Sequence, residues 1–229
     1  MARPGVRTIP LGRVAVASTA MLVTTLTACG APDFTYVKNS TAKTYFKVPA
    51  EWHKIEQREL DNAMTSDDPD SAAAQARPKT MWSIGYDAHD DPDAFHFYGL
   101  NTDQPFVFAL IRPLTREERG SISLDRLRDA FLPVTEGARQ TLAQQNGGLS
   151  DFELLRDEEL EPKGDGLRGV RTTFNYRFPT LLTLQTFDVS SYASDQGRLY
   201  VMVIRCSARC FLDRKGELDS IARSFTVRT

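Results

Sequence analysis

The chain has 229 residues, 41% of them hydrophobic and 25% charged, with 28 basic side chains against 30 acidic ones. A chain of this length fits one domain that buries about 70% of its unfolded surface. The net charge of −2 speaks against nucleic acid as a partner, because there is no basic excess to neutralise phosphates.

The first segment reads as an export signal. Arg3, Arg7 and Arg13 precede an apolar stretch from Val14 to Leu26 that is too short to span a bilayer permanently, and no acidic residue occurs before Asp33. The stretch closes on Leu26-Thr27-Ala28-Cys29, which resembles the bacterial lipobox. In a lipobox the small residues fit a narrow peptidase pocket, and the cysteine thiolate takes up the lipid. Residues 1–28 are therefore expected to be removed, leaving Cys29 lipidated at the head of a short tether, residues 29–38. Cleavage takes away three arginines, so 25 basic residues remain against 30 acidic ones and the mature charge is −5. Such a surface does not adhere to anionic lipid by charge, whereas two acyl chains on Cys29 anchor it to the membrane.

Beyond the tether, Asn39-Ser40-Thr41 reads as a turn, and Thr44, Phe46 and Val48 alternate as a strand that Pro49 ends, with Trp52 packed beneath. Asp61 to Lys79 is polar and broken by Pro69 and Pro78, which predicts a surface loop with one helical turn over 72–76. Trp82, Ile84 and Tyr86 alternate as a second strand, and an acidic loop, His89–Asp93, follows. Phe106 to Ile111 is apolar on both faces, the mark of a covered central strand. Ser123 is a candidate N-cap for a helix that buries Leu124, Leu127 and Phe131; Pro133 kinks it or begins a second helix that stops at Asn146-Gly147-Gly148.

Phe152 and Leu154 open another strand, and Val170 to Phe178 alternates with Arg171, Thr173, Asn175 and Arg177. Leu181–Val189 and Leu199–Ile204 continue as an antiparallel meander. Leu218, Ile221, Ala222 and Phe225 form one stripe of a last helix. Six or seven strands with helices between and after them predict an α+β fold, a mostly antiparallel sheet flanked by helices, in one domain over 39–229.

Two segments resemble the PsbP-like superfamily: Thr44-Tyr45-Phe46-Lys47-Val48-Pro49-Ala50-Glu51-Trp52 at the opening, and Leu199–Ile204 followed by Glu217 to Phe225 at the close. With its lipobox the chain looks most like the LpqN-type lipoproteins of actinobacteria. The resemblance implies an α/β/α sandwich in which Val48 and Trp52 fill the core and Phe225 docks the final helix. It implies no catalytic residues and no cofactor, and binding is the theme its members share.

Cys206 and Cys210 remain once Cys29 is lipidated. An even pair in an oxidising compartment reads as a disulfide, with free thiols, a metal pair or a redox pair as the alternatives. His89, Asp90, Asp91, Asp93 and His96 crowd eight positions, and Asp67–Asp70 repeats the acidic run; these are metal candidates, set against the plainer reading of a pair of solvated turns. There is no Gly-x-Ser-x-Gly or Ser-x-x-Lys and there are three histidines, which points away from an enzyme. The sequence thus predicts a membrane-anchored binding or scaffold module for an envelope protein. The alternative is a small-ligand carrier or cell-envelope hydrolase with a pocket between sheet and helices. Asp90–Phe97 is the expected partner surface, unless Phe95 and Phe97 are core residues of an edge strand. Cys29→Ser is expected to abolish lipidation; acyl mass on the substituted protein, or unchanged partition into detergent, would refute the anchor.

Overall fold

A strand that the alternation does not mark precedes the expected one. In the computed structural model, which describes residues 1–2, 5, 32–64, 71–99, 103–145, 147–161, 165–181 and 183–228, β1 (Phe34–Asn39) pairs antiparallel with β2 (Thr44–Pro49). The tether expected over 29–38 therefore runs into the fold: Val37 is buried, and Lys47 sits 3.9 Å over the Phe34 ring. Residues 32–229 form one compact unit. Cys29 and its lipobox lie outside the described residues.

β3 (His53–Ile55) leads into α1 (Gln57–Met64), then α2 (Ala72–Thr80) and β4 (Trp82–Asp87). Here the expected surface loop is corrected, because residues 61–64 belong to α1 and residues 72–79 to α2. Leu60 is fully buried and anchors α1, while α2 is an exposed helix with Ser71 as its N-cap. Three alanines begin α2, and high intrinsic helix propensity with a cap holds such a segment without a core-facing stripe. Pro78 falls within this helix. Asp67–Asp70 lie outside the described residues.

A 3-10 turn, Ala94–Tyr98, precedes β5 (Phe106–Pro113). Three short helices follow: α3 (Arg116–Ser121), α4 (Leu124–Arg128) and α5 (Glu136–Gln144). Ser123 caps α4 as expected, but the helix is short and Thr135, past Pro133, caps α5. α3 is an addition to the expected elements, and Thr115 and Glu118 form its capping box, a signal local to the sequence.

The rest is a meander of β6 (Ser150–Leu160), β7 (Leu167–Arg177), β8 (Gln185–Ser194) and β9 (Arg198–Ser207). The chain closes with α6 (Ala208–Asp213), α7 (Lys215–Ser224) and β10 (Thr226–Val227). Leu181 and Leu184 belong to the connection before β8, so that strand starts later than its apolar pattern suggests.

The fold is α+β. Its large sheet is antiparallel in the order β3-β4-β5-β9-β8-β7-β6, and β1, β2 and β10 make a second, three-stranded sheet. Two apolar clusters lie on opposite faces of the large sheet. One joins Ile84, Val107, Met202 and Ile204 to the small sheet and to α6 and α7. The other joins Phe106, Phe108, Phe174 and Val203 to Leu60, Leu127 and the 3-10 turn. One face is thus covered by a second sheet as well as by helices. β10 adds to β2 only after α7 has crossed, which is why two residues so far apart in sequence as Thr44 and Val227 are neighbours.

Cys206 at the end of β9 and Cys210 in α6 form a disulfide, with Cα atoms 5.9 Å apart. The closed loop is short, so replacing both cysteines by serine is expected to lower stability by only about 2 kcal/mol. Urea melts of the oxidised protein measure this; a loss several times larger would mean that the bridge holds more than its local corner.

A loop fixed from beneath by Asp87 and Arg205

The acidic loop between β4 and the 3-10 turn is organised by one carboxylate. Asp87, at the end of β4, is buried, and its Oδ1 accepts from the His89 amide at 3.0 Å. Its Oδ2 accepts from the Asp93 amide at 3.1 Å and lies 2.6 Å from His96 Nδ1. A carboxylate only accepts, so His96 carries its proton on Nδ1. Asp93 then caps the turn, accepting from the Phe95 amide at 2.8 Å.

Arg205 of β9 closes the other end. Its Nη1 donates to the carbonyls of His96, at 2.8 Å, and Phe97, and its Nη2 donates to Gln185 Oε1 at 3.0 Å. These carbonyls belong to the final turn of the short helix, where a cation also meets the negative end of the local dipoles. Burial pulls the Arg205 guanidinium down to about 10, so it remains charged at neutral pH. Gly99 ends the turn at φ +119, and a side chain there would meet Leu181 and Arg205. Only glycine satisfies both constraints cheaply.

With its backbone held on both sides, the turn sorts its aromatics. Phe97 is buried against Phe106, Phe108 and Phe131, at centroid distances of 5.4, 4.9 and 5.6 Å. Phe95 and Tyr98 are 50% and 44% exposed, the Tyr98 ring packing edge-on to Phe97 at 5.4 Å. Partial burial pushes the Tyr98 phenol up to about 12, so it stays a neutral hydrogen-bond donor. Neither Phe95 nor Phe97 lies on an edge strand. Asp90, Asp91 and Asp93 are exposed around them.

The proposed metal candidates have other partners. The His89 and His96 rings approach to 4.8 Å, but the Asp91 amide donates to His89 Nδ1 at 3.0 Å, and His96 Nδ1 is spent on Asp87. Asp93 is spent on the helix cap. Among the described residues no three His, Cys, Asp or Glu side chains are placed to hold a metal ion. Asp87 and Arg205, which build the loop, were not singled out by the sequence. The only signal for them was a charged residue inside an otherwise apolar strand.

No family model matches the chain, and no curated protein matches it. The solved structures it resembles include a cyanobacterial PsbP. That protein, from Synechocystis, is 11% identical with a TM-score of 0.49, and the match covers 90% of this chain and 98% of that one. LpqN of Mycobacterium tuberculosis, described as involved in cell envelope biogenesis, is 13% identical with a TM-score of 0.44, covering 85% and 90% of the two chains. A putative regulator of unknown function from Pseudomonas aeruginosa is 8% identical with a TM-score of 0.39, covering 86% and 99%.

Asp87→Asn is expected to loosen the loop. The amide presents an N–H₂ toward either the backbone donors or His96, and one buried donor loses its acceptor. The cost is about 2 kcal/mol. Hydrogen exchange at Phe95 and Phe97 together with urea melts checks this; unchanged protection at both amides would show that Asp87 does not hold the turn.

Proposed function

We propose that the mature chain is a non-catalytic binding module, held to the outer face of the membrane by lipid on Cys29, and that it docks an envelope protein through the His89–Gly99 loop. The observation that carries this reading is the pair Phe95 and Tyr98, exposed on a turn whose backbone is pinned by Asp87 and Arg205. Aromatic side chains shown on a rigid support bind at low entropic cost, which is how interface anchors behave. The three aspartates around them suit a partner surface with basic side chains. Tethering adds to this, because a domain confined beside the membrane meets its partners at high effective concentration and needs only a weak contact.

A photo-crosslinking residue placed at position 95 or 98 of the lipidated protein, in intact cells, tests the reading. One discrete adduct is expected, and it should disappear with Asp90→Lys and Asp93→Asn together, or with Cys29→Ser. Adducts at position 95 that match those from a probe at exposed Tyr36 would count against the loop. So would turnover of ester, peptide or glycan substrates by the purified protein that is lost on replacing His89 or His96, which would make it an enzyme.

A further inference from the structure

On the opposite face of the large sheet a recess of about 280 Å³ opens between β6–β8 and the α6–α7 corner. Its floor is an ion cluster. Arg171 and Asp188 are 3% and 1% exposed, and Arg171 Nε and Nη2 donate to the two Asp188 oxygens at 2.8 and 2.6 Å. Nη2 also donates to Asp219 Oδ1 at 2.9 Å, where Arg156 Nη1 donates at 3.0 Å, and Arg223 Nε donates to Asp219 Oδ2 at 2.7 Å. The three guanidiniums outweigh the effect of burial and hold the Asp219 carboxyl far below the usual carboxylate range.

Every oxygen of both carboxylates is therefore already taken by an arginine. Both carboxylates are thus committed to cations of the protein itself, and the lining carries three positive groups, Arg156, Arg171 and Lys215, against two negative ones. Among the described residues Lys215 has no carboxylate within ion-pairing distance, and Arg156 spends only one nitrogen on Asp219. A positive recess in a chain of negative net charge concentrates field lines on whatever anion enters it.

The rim is of a different kind. Leu212, on α6, is 72% exposed, and Leu155 is 48% exposed where a register shift between Leu154 and Arg156 interrupts β6. Both border the recess, with buried Phe211 between rim and floor. A bare inorganic anion makes no use of two exposed leucines, and a purely apolar ligand makes none of Lys215.

We infer that this recess binds an anionic head group, carboxylate or phosphate, carried on an apolar chain. The head group pairs with Lys215 and the free edge of Arg156, over a floor whose charges are locked in place by one another. The chain lies along Leu155, Leu212 and Phe211. Because α6 is tied to β9 by the Cys206–Cys210 bridge, the apolar wall is set before the ligand arrives.

Calorimetry on the full chain exported with Cys29→Ser, whose own lipid then cannot compete, tests this with four probes. Octanoate and octyl phosphate are expected to bind, and whichever is tighter names the head group. Octyl glucoside and inorganic phosphate are expected to bind at least about tenfold more weakly. Lys215→Glu and Leu212→Asp, both at exposed positions, should each weaken the better probe at least about tenfold with the melting temperature unchanged. Equal binding of octyl glucoside removes the charge argument, and equal binding of inorganic phosphate removes the apolar one. Indifference to Lys215→Glu, or no binding of either octyl anion, overturns the site. Phe95→Ser should leave all four affinities unchanged, so this site and the docking loop stand or fall separately.

Discussion

A strand that is apolar on both faces must be covered on both faces, and β9 imposes that requirement on everything around it. Tyr200, Met202 and Ile204 point to one side while Leu199, Val201 and Val203 point to the other, and all six are buried. Fully burying side chains of this kind contributes roughly 1.5–3 kcal/mol each, so neither face can be left to water. One face recruits α1, α4 and the 3-10 turn, and the other recruits α6, α7 and the small sheet. The two surfaces of functional interest lie where these two covers meet the sheet.

Each cover solves its polar groups in its own way. On the loop side, Asp87 and Arg205 lie in one row across the sheet, on either side of Phe106, and each ties down backbone groups of the turn. On the recess side, charges meet charges, with Arg171, Asp188 and Asp219 satisfying one another at the base of the α6–α7 corner. Buried ion clusters of this type contribute little net stability, since desolvation offsets most of the attraction, but removing one member leaves the others stranded. They fix positions, and a rigid position is what a binding surface needs.

The β6 edge shows how the same molecule limits unwanted association. It is the long free edge of the large sheet, yet it carries two register shifts and a run of acidic residues from Asp157 to Glu159. Irregular pairing and like charge discourage a second copy from adding there. Arg128 from α4 covers part of it, bonding Asp157 through Nε at 3.0 Å.

The sequence by itself determined the elements whose pattern is local and strong. The alternation of β2, β4 and β7, the doubly apolar runs of β5 and β9, the stripe of α7 and the cap at Ser123 are all written in neighbouring residues, because burial on one face repeats at the period of the element. The pattern that reads as an export signal and lipobox is likewise local, and the two terminal motifs carry the PsbP-like resemblance. Tertiary structure decided what depends on distant partners. Arg171, Thr173 and Asn175 alternate as an outward face would, yet they are buried, because α6 and α7 bring Asp219 and a second layer over them. Phe95 and Phe97 are two residues apart and chemically identical; one is exposed and the other buried because Arg205, more than a hundred positions later, fixes the turn between them. No local pattern encodes a hydrogen bond across that separation, so both candidate sites became visible only when the strands that carry their charged residues were placed side by side.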